Sequence, residues 1–323
     1  MTKAIVVHQP GGPDALRWES VEVGAPGPGQ VRIAQRAAGL NFIDVYHRTG
    51  LYPLPAPFTP GVEGAGVVEA IGEGVSGFSI GDRVGYAGPI GGYAEARLID
   101  ADRLVHLPDE IDFDQAAAAM LQGMTAHMLL HSVHAVKPGD TILVHAAAGG
   151  VGLIMCQWAA AIGATVIGTV STDAKAELAL ANGCHHAIVT SRDDFVAETL
   201  RITGGSKLPV VYDSVGKDSF LRSFDCLAPR GLMVSFGQSS GAIDPFPPGL
   251  LAQKGSLYLT RPTLFTYIAN PAELQRAAAE LFGVIASGTV RIEIHQRFAL
   301  ADAAEAHRAL EARQTTGSTI FTI

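Results

Sequence analysis

Cysteines, charged residues and long runs of like charge are scarce in this chain of 323 residues, and each of these features excludes a class of protein. The chain has only three cysteines, too few for a disulfide framework or a zinc-cysteine cluster, so each is predicted to be a small buried side chain in a reducing compartment. Charged residues make up 17% of the chain, which argues against a disordered tail. The net charge of −8 argues against nucleic acid or an anionic membrane as the main partner.

A secretory signal pattern is absent as well. Met1-Thr2-Lys3 leads directly into Ala4-Ile5-Val6-Val7, and the prediction is a cytoplasmic protein. The stretch from Thr141 to Thr172 contains no Asp, Glu, Lys or Arg and is long enough to cross a bilayer. Its five glycines and its strand-helix-strand punctuation favour a buried β-α-β unit instead.

A glycine-rich turn within this uncharged stretch is the most informative motif of the sequence. The apolar run Thr141–Val144 leads through Gly149–Gly152 into a helical stretch, and a second apolar run, Ala164–Val170, follows. The start of a helix after such a turn offers unpaired N–H groups to the pyrophosphate of a dinucleotide. The pattern departs from a strict G-x-G-x-x-G, so a tight turn between buried elements stays open as the alternative.

The residues after the second apolar run indicate which dinucleotide would bind. In NAD-preferring folds an acidic side chain there binds the ribose 2′-OH, whereas a basic residue accommodates a 2′-phosphate. Here Val170 is followed by Ser171 and Lys175, which favours NADP(H). Asp173 lies between them and argues in the other direction.

The length and the strand pattern predict two domains. Short strands separated by Gly/Pro turns predict a β-rich, barrel-like domain in the first third of the chain. These strands are Ala4–Val7, Leu16–Val23, Gln30–Ala37, Gly64–Ile71, Gly81–Tyr86, Gly92–Leu98 and Leu104–Leu107. A helical segment is expected over 112–134.

Beyond Lys137 strands alternate with helical stretches, which predicts an α/β fold with a parallel sheet and helices on both faces. The predicted strands are Thr141–Val144, Ala164–Val170, His186–Val189, Val210–Ser214, Leu232–Phe236 and Ser256–Leu259. The pattern then changes to a helix starting at Asn270-Pro271, a strand Val290–His295, a helix Ala301–Arg313 and a strand Ser318–Ile323. These closing elements are expected to pack on the N-terminal domain.

A polar and aromatic insert, Asn41–Pro53, interrupts the first set of strands. Asn41, Tyr46 and Tyr52 within it are the candidate catalytic residues, because an amide and two phenol hydroxyls can hydrogen-bond a carbonyl that gains charge during hydride transfer. The alternative for each is packing within a loop. Glu63 is expected to be buried in a glycine-lined turn with a structural role.

The chain has eleven histidines, so a metal site is an alternative to consider. His127, His131 and His134 would share one helical face at ligand-compatible spacing. No carboxylate lies within that run, so the sequence predicts no metal there.

These residues together resemble the zinc-free quinone oxidoreductase branch of the medium-chain dehydrogenases/reductases, and within it the bacterial NADPH:quinone oxidoreductases. The similarity covers essentially the whole chain. It is carried by Gly39–Asp44, Thr49–Pro53, Val144–Gly152, Val211–Gly216, Gly231–Gly237 and Leu259–Pro262.

The resemblance implies a GroES-like catalytic domain formed by residues 1–124 and 265–323, a Rossmann domain over 125–264, and NADPH (NADP+) held in the cleft. It implies that Asn41, Thr125, Phe236 and Gly237 surround the nicotinamide and that Gly149, Gly150 and Val151 contact the pyrophosphate. It further places Ser171, Lys175 and Arg313 at the 2′-phosphate, with Ser214 and Arg261 on the adenosine and ribose sides. Asn41 and Val62 stand where zinc-dependent relatives have zinc ligands, so no zinc is expected.

Two positions depart from the bacterial pattern. Met128 and Thr190 align with tyrosines that contact the cofactor, so the NADPH preference is predicted to be less strict. The expected function is reduction of a quinone. The alternatives are an NADPH-dependent 2-enoyl/2-alkenal reductase, or a non-enzymatic nucleotide-binding or RNA-interacting protein, which the acidic charge balance disfavours. Ser256–Leu259 is expected to be an edge strand that pairs in a homodimer.

Overall fold

The computed structural model describes residues 1–323, which form two compact units. The first unit comprises Met1–Met124, Ile268–Ala286 and Ile292–Ile323, and the second comprises Thr125–Tyr267 and Ser287–Arg291. Both ends of the chain therefore contribute to the first unit.

Fifteen strands form the sheets of the two units. They are β1 (Thr2–Val6), β2 (Arg17–Val21), β3 (Gln30–Leu40), β4 (Glu63–Ile71), β5 (Arg83–Ala87), β6 (Ala96–Asp100), β7 (Val105–His106), β8 (Thr141–His145), β9 (Thr165–Val170), β10 (His186–Val189), β11 (Leu208–Asp213), β12 (Leu227–Ser235), β13 (Tyr258–Thr260), β14 (Ile294–Ala299) and β15 (Ser318–Thr322).

Ten α-helices accompany these strands. They are α1 (Phe42–Thr49), α2 (Phe113–His127), α3 (Gly150–Ile162), α4 (Asp173–Ala181), α5 (Phe195–Ile202), α6 (Phe220–Ser223), α7 (Gly249–Gln253), α8 (Leu264–Tyr267), α9 (Pro271–Ala286) and α10 (Ala303–Glu311). Short 3₁₀ turns occur at Pro13–Ala15, Ala101–Arg103, Phe224–Cys226 and Leu300–Asp302. No helix combines the length and the apolar character that crossing a membrane requires.

The first unit is organised around the long strand β3. Its sheet has the order β14-β15-β3-β4-β5-β7, and β6 also pairs with β3. Alternate β3 side chains such as Val31 and Ile33 are fully buried, and they pack on Val68, Val84 and Leu104 of the neighbouring elements. This inward alternation is what half-buried strands require, and the prediction of a β-rich, GroES-like domain is confirmed.

The insert that follows β3, for which the sequence predicted neither a strand nor a helix, contains a helix, α1. Asn41 precedes the helix in extended conformation, and its N–H donates to Asp44 Oδ2 at 2.9 Å, which satisfies one of the donors that a helix start leaves open. Gly50 ends the helix in the left-handed conformation with φ of 81°. Buried Val45 and Tyr46 form the apolar face that was not recognised in so short a stretch.

The second unit contains six parallel strands in the order β10-β9-β8-β11-β12-β13. The chain runs outward from β8 through β9 to β10 and then returns to β11 on the other side of β8. Because crossovers between parallel strands are as a rule right-handed, this reversal places the connecting helices on opposite faces of the sheet, which is the doubly wound Rossmann arrangement. The predicted fold class is confirmed.

Two predicted elements near unit boundaries were wrong in detail. The helix expected over 112–134 is α-helical only to His127 and continues as a π-helical turn, Met128–Val133. The strand expected at Val290–His295 begins only at Ile294. The side-chain amide of Gln157 bonds both the N–H of Arg291 (2.8 Å) and its carbonyl (3.0 Å), so this backbone is held in the second unit and cannot join a sheet ladder.

Candidate active site

The glycine turn of the second unit joins β8 to α3 by a very close approach of backbone. Ala146 adopts the left-handed conformation with φ of 54°, and Gly149 caps the start of α3. A Cβ on Gly152 would lie 2.4 Å from the carbonyl oxygen of Ala146, so only glycine fits there. The first N–H groups of α3, at Gly150 and Val151, have no carbonyl one turn earlier to bond, and they are the groups that can receive a phosphate.

Buried polar contacts fix the strand that carries this turn. His145, the last residue of β8, bonds Thr169 Oγ1 on β9 and Ser223 Oγ on α6, both at 2.8 Å. Burial lowers the pKa of His145, so the ring is neutral and bonds as one donor and one acceptor. His145 lies within the glycine-turn motif, but the sequence alone indicates no role for it.

The candidate 2′-phosphate residues follow the next strand. Ser171 comes directly after β9, and Thr172 caps α4 by accepting a hydrogen bond at Oγ1 from the N–H of Lys175 at 3.3 Å. Ser171 and Lys175 thus lie in one strand-to-helix turn. Asp173, the acidic residue between them, forms an ion pair with Arg192, which no sequence motif indicated.

Four further candidates lie where the other strands end. The N–H of Phe236 donates to the carbonyl of Asp213 at 2.8 Å, and a Cβ on Gly237 would lie 2.6 Å from the Ser214 carbonyl oxygen. The structure therefore brings Phe236 and Gly237 against Ser214. Arg261, just beyond β13, donates from Nη1 to the Ser235 carbonyl at 2.9 Å.

All these positions lie at one edge of the parallel sheet. They follow the carboxyl ends of strands β8, β9, β11, β12 and β13, and the strand order reverses between β8 and β11. In open α/β sheets the crevice at such a reversal is where ligands bind. The glycine turn, the start of α3 and the hydroxyl and ammonium beside β9 together fit a phosphorylated dinucleotide.

Both polar atoms of the Asn41 side-chain amide, in the first unit, form buried hydrogen bonds. Its Nδ2 donates to Glu63 Oε2 at 2.7 Å, and its Oδ1 accepts from Gln122 Nε2 at 3.1 Å. Gln122 Oε1 in turn accepts from the Ser318 hydroxyl at 2.8 Å. These four buried residues form one directed chain of hydrogen bonds, which orients the Asn41 amide.

Glu63, which was predicted to lie in a glycine-lined turn, is the centre of this arrangement. It is the first residue of β4 and is fully buried. Its Oε1 accepts the N–H of Leu121 at 2.7 Å. Burial raises the pKa of Glu63 to about 8, against the opposite effect of the hydrogen bonds from Asn41 and Leu121.

A second buried network anchors α1. Asp44 Oδ2 accepts the Tyr93 hydroxyl at 2.9 Å, and Tyr93 also contacts His307 Nε2 at 3.3 Å. Arg48, only 1% exposed, bonds both carboxylate oxygens of Glu311 at 2.8 Å. Burial raises the pKa of Asp44 to about 7 and lowers that of His307 to about 3. This network ties α1, which begins beside Asn41, to α10.

The two candidate tyrosines contact each other. Tyr46 lies on α1, and its ring packs edge to face with that of Tyr52 at a centroid distance of 5.2 Å. The Phe42 ring also packs on Tyr46, at a centroid distance of 6.2 Å. The Tyr52 N–H donates to the Tyr46 carbonyl at 3.0 Å. Tyr46 is buried, whereas Tyr52 is partly exposed, so Tyr52 is the better placed of the two to meet a substrate.

Comparisons with known proteins agree with both units. A model of the alcohol dehydrogenase GroES-like domain matches residues 27–109, and one of the zinc-binding dehydrogenases matches 150–282. A quinone oxidoreductase of Pseudomonas aeruginosa is 54% identical over 99% of each chain. The chain belongs to the quinone oxidoreductase branch of the medium-chain dehydrogenases/reductases.

Two further members of this branch differ in what they are named for. The crystal structure of Escherichia coli quinone oxidoreductase complexed with NADPH superimposes with a TM-score of 0.98 at 47% identity, covering 99% of this chain and 100% of the other. A 2-haloacrylate reductase of Burkholderia is also 47% identical, over 99% of each chain. The branch therefore includes reductases of more than one substrate class.

The histidines considered as metal ligands pack on an aromatic ring. His127 and His131 lie 5.7 and 5.2 Å from the ring centroid of Trp158, and their own centroids are 5.0 Å apart. His134 lies 3.8 Å from Asp140. The structure groups no three His, Cys, Asp or Glu side chains in an arrangement that could hold a metal ion.

Two of the cofactor candidates, Thr125 and Arg313, do not follow a strand of the parallel sheet in the chain. Thr125 is on α2 and is the first residue of the second unit. Arg313 belongs to the first unit and follows α10 in the left-handed conformation with φ of 58°. The roles of these two residues at the cofactor, like those of the other cofactor candidates, stay predictions.

Proposed function

We propose that this protein is an NADPH-dependent reductase that acts on quinones without zinc. The observation that carries the proposal is the glycine cradle of Gly149–Gly152 at the strand-order reversal, with Ser171 and Lys175 beside the adjacent strand. The membership of the chain in a branch that contains an NADPH complex supports the choice of nucleotide.

Bound NADPH supplies a hydride or single electrons. Gly149, Gly150 and Val151 bind the pyrophosphate through backbone N–H groups, and Ser171, Lys175 and Arg313 bind the 2′-phosphate. Thr125, Ser214, Phe236, Gly237 and Arg261 position the remaining parts of the nucleotide. These roles rest on the sheet-edge geometry of the second-unit residues and on the family resemblance.

The first unit supplies the polar groups that face the acceptor. The Asn41 amide has a second hydrogen on Nδ2 and a second lone pair on Oδ1 in addition to those that bond Glu63 and Gln122. The bonds to Glu63 and Gln122 fix the directions of this second hydrogen and lone pair. Tyr52 donates a hydrogen bond or a proton to the acceptor oxygen as negative charge develops there. Tyr46 supports Tyr52 through the ring contact.

Nucleotide oxidation with a set of acceptors tests the proposal. Purified, chelator-treated protein is mixed with NADPH or NADH and with 1,4-benzoquinone, 9,10-phenanthrenequinone or trans-2-hexenal. We expect quinone turnover that favours NADPH. Tight NADPH binding without any turnover would contradict the enzymatic proposal and favour a nucleotide-binding or RNA-interacting protein.

An activated C=C reductase is the second candidate. The 47% identity to a 2-haloacrylate reductase over 99% of the chain favours it specifically. Both reactions need a hydride donor and a hydrogen-bond donor at a conjugated carbonyl, so the residues proposed above serve either. Turnover of the enal alone would assign the protein to this second class.

Replacing Tyr52 by phenylalanine is expected to lower kcat about 10- to 100-fold with little change in the Kd for NADPH, because the hydroxyl acts on the acceptor and not on the nucleotide. Steady-state kinetics and fluorescence titration measure the two effects. Tyr267→Phe is the matched control, since Tyr267 is half-buried on α8 and has no proposed role. Unchanged turnover in Tyr52→Phe would remove this hydroxyl from the mechanism.

We also propose a homodimer in which two copies pair through β13. This strand is at the edge of the six-stranded sheet, and Tyr258 and Leu259 on it are 62% and 37% exposed. A groove of about 680 Å³ runs beside it, lined by Lys207, Arg230 and Tyr258 among others. An unpaired edge with apolar side chains is a surface that natural proteins cover.

The cytoplasmic location stays a prediction from the sequence.

Replacing Leu259 by lysine is expected to convert the dimer to a monomer, because a charge on an edge strand opposes edge-to-edge pairing. Size-exclusion chromatography with light scattering compares the mass with that of one chain, 33.7 kDa. Leu221→Lys is the control, since Leu221 is 44% exposed on α6. A monomeric wild-type protein would contradict the proposed dimer.

A further inference from the structure

An ion pair lies beside the turn that carries Ser171 and Lys175. Asp173 is the first residue of α4, and its Oδ1 accepts from Arg192 Nη1 at 2.5 Å. Arg192 Nε also donates to Asp193 Oδ2 at 3.2 Å. The Arg192 side chain is 57% exposed, so its guanidinium stays open to a ligand from solvent.

Short hydrogen bonds hold the loop of Arg192 against the end of β9. Arg192 lies three residues after β10, the strand that pairs with β9 in parallel. The N–H and the hydroxyl of Thr190 both donate to the carbonyl of Val170, at 2.9 and 3.0 Å. The N–H of Arg192 donates to the carbonyl of Val189 at 3.1 Å. The loop therefore shares the sheet edge at which Ser171 begins.

We propose that Arg192 binds the 2′-phosphate of NADPH and is a determinant of nucleotide specificity in this chain; the inference rests on the proposed NADPH-dependent function. Asp173 alone would repel a phosphate placed between Ser171 and Lys175. Arg192 neutralises this carboxylate. A guanidinium has five N–H donors, and two of them are used by Asp173 and Asp193, which leaves three for phosphate oxygens.

Arg192 also compensates for Thr190, which stands where the family resemblance implies a tyrosine. The Thr190 hydroxyl bonds the Val170 carbonyl, and its side chain is shorter than that tyrosine. Arg192, two residues further along the same loop, supplies a longer side chain and a positive charge at that edge. The preference for NADPH is then maintained by charge and does not weaken, contrary to the expectation from Thr190 alone.

Binding measurements without an acceptor test this inference. We expect Arg192→Ala to raise the Kd for NADPH and for 2′,5′-ADP about 10-fold, and to leave the Kd for NADH and 5′-AMP unchanged. Asp173→Asn is expected to tighten NADPH binding about 2- to 5-fold, since it removes the repelling charge. Arg201→Ala is the matched control, because Arg201 forms an exposed ion pair with Glu198 at 2.7 Å on α5.

The outcomes separate this inference from the proposed function. The inference would be overturned if Arg192→Ala kept the wild-type ratio of NADPH affinity to NADH affinity, whether both affinities were unchanged or both were weaker. An NADPH-dependent reductase would then still stand. Wild-type protein that binds NADH but neither NADPH nor 2′,5′-ADP would overturn the proposed function and this inference together. A selective loss of 2′-phosphate ligands in Arg192→Ala alone, with Arg201→Ala like wild type, supports it.

Discussion

Gly152→Ala is expected to raise the Kd for NADPH at least about 100-fold and to lower the free energy of unfolding by several kcal/mol, roughly the cost of overpacking. A Cβ at this position would lie 2.4 Å from the carbonyl oxygen of Ala146 and 2.8 Å from the backbone of Ala147. Both obstacles are backbone, so the start of α3 must move away from the turn. Its N–H groups then no longer point at the pyrophosphate.

Urea unfolding and fluorescence titration measure the two effects. The control is Gly283→Ala, which lies within helix α9 and where a Cβ meets nothing within 4 Å. Alanine there is expected to stabilise the protein by about 0.5–1 kcal/mol through lower chain entropy. Wild-type NADPH affinity in Gly152→Ala would mean that the glycine turn is a packing device and not a nucleotide cradle.

The stability of the protein is expected to fall as the pH rises from about 7 to 8.5, and Glu63→Gln is expected to reduce that fall. The pKa of Glu63 is about 8 in the folded chain against an ordinary value of 4.5, and that of Asp44 is about 7 against 3.8. The folded state therefore binds more protons than the unfolded state at these pH values. Its stabilisation by the neutral carboxyls is complete below the ordinary values and is lost as the pH passes the raised ones.

The pH interval separates these carboxyls from the buried histidines. His145 and His307 have lowered pKa values, so their contribution changes only below the ordinary 6.5. One unit of pKa difference corresponds to about 1.4 kcal/mol, and a loss of roughly 1–3 kcal/mol is expected over the interval. Equal pH slopes in wild type and Glu63→Gln would show that Glu63 does not titrate there.

The same variant also tests how Asn41 is oriented. Leu121 donates from the backbone and cannot reverse, so in Glu63→Gln the new side-chain amide nitrogen faces Asn41. Asn41 and Gln122 must then both turn over, and the Ser318 hydroxyl can accept in place of donating. The chain of hydrogen bonds stays complete with inverted polarity, so we expect a folded enzyme with kcat lowered about 10- to 100-fold.

Turnover and thermal unfolding at about pH 9, above the raised pKa of Glu63, measure this result, because the ionised carboxylate accepts from both Asn41 and Leu121. Glu69→Gln on the same strand is the control, since Glu69 is exposed and pairs with Arg32 at 3.1 Å, a contact worth little. Wild-type turnover in Glu63→Gln would contradict the proposed role of the oriented amide. A parallel loss of stability and turnover at all pH values would indicate that Glu63 only supports the fold.

Local pattern was sufficient for most of the architecture. The glycine turn, the apolar runs at β8 and β9 and the helix start at Asn270-Pro271 predicted elements that the structure contains, because each depends on neighbours within a few residues. The two-residue alternation of β3 likewise identified a half-buried strand. The helix α1 was missed, since eight residues give too few turns to display a period.

The sequence by itself determined the fold class, the family and the glycine turn, because these follow from periodicity, turn residues and motifs that are contiguous in the chain. Only the tertiary structure decided which distant residues share a network. Glu63, Asn41, Gln122 and Ser318 come from four separate segments, and no spacing rule links them. Arg192 meets Asp173 only because β10 lies beside β9. The pKa values of Glu63 and Asp44 likewise depend on burial, which is created when those segments pack.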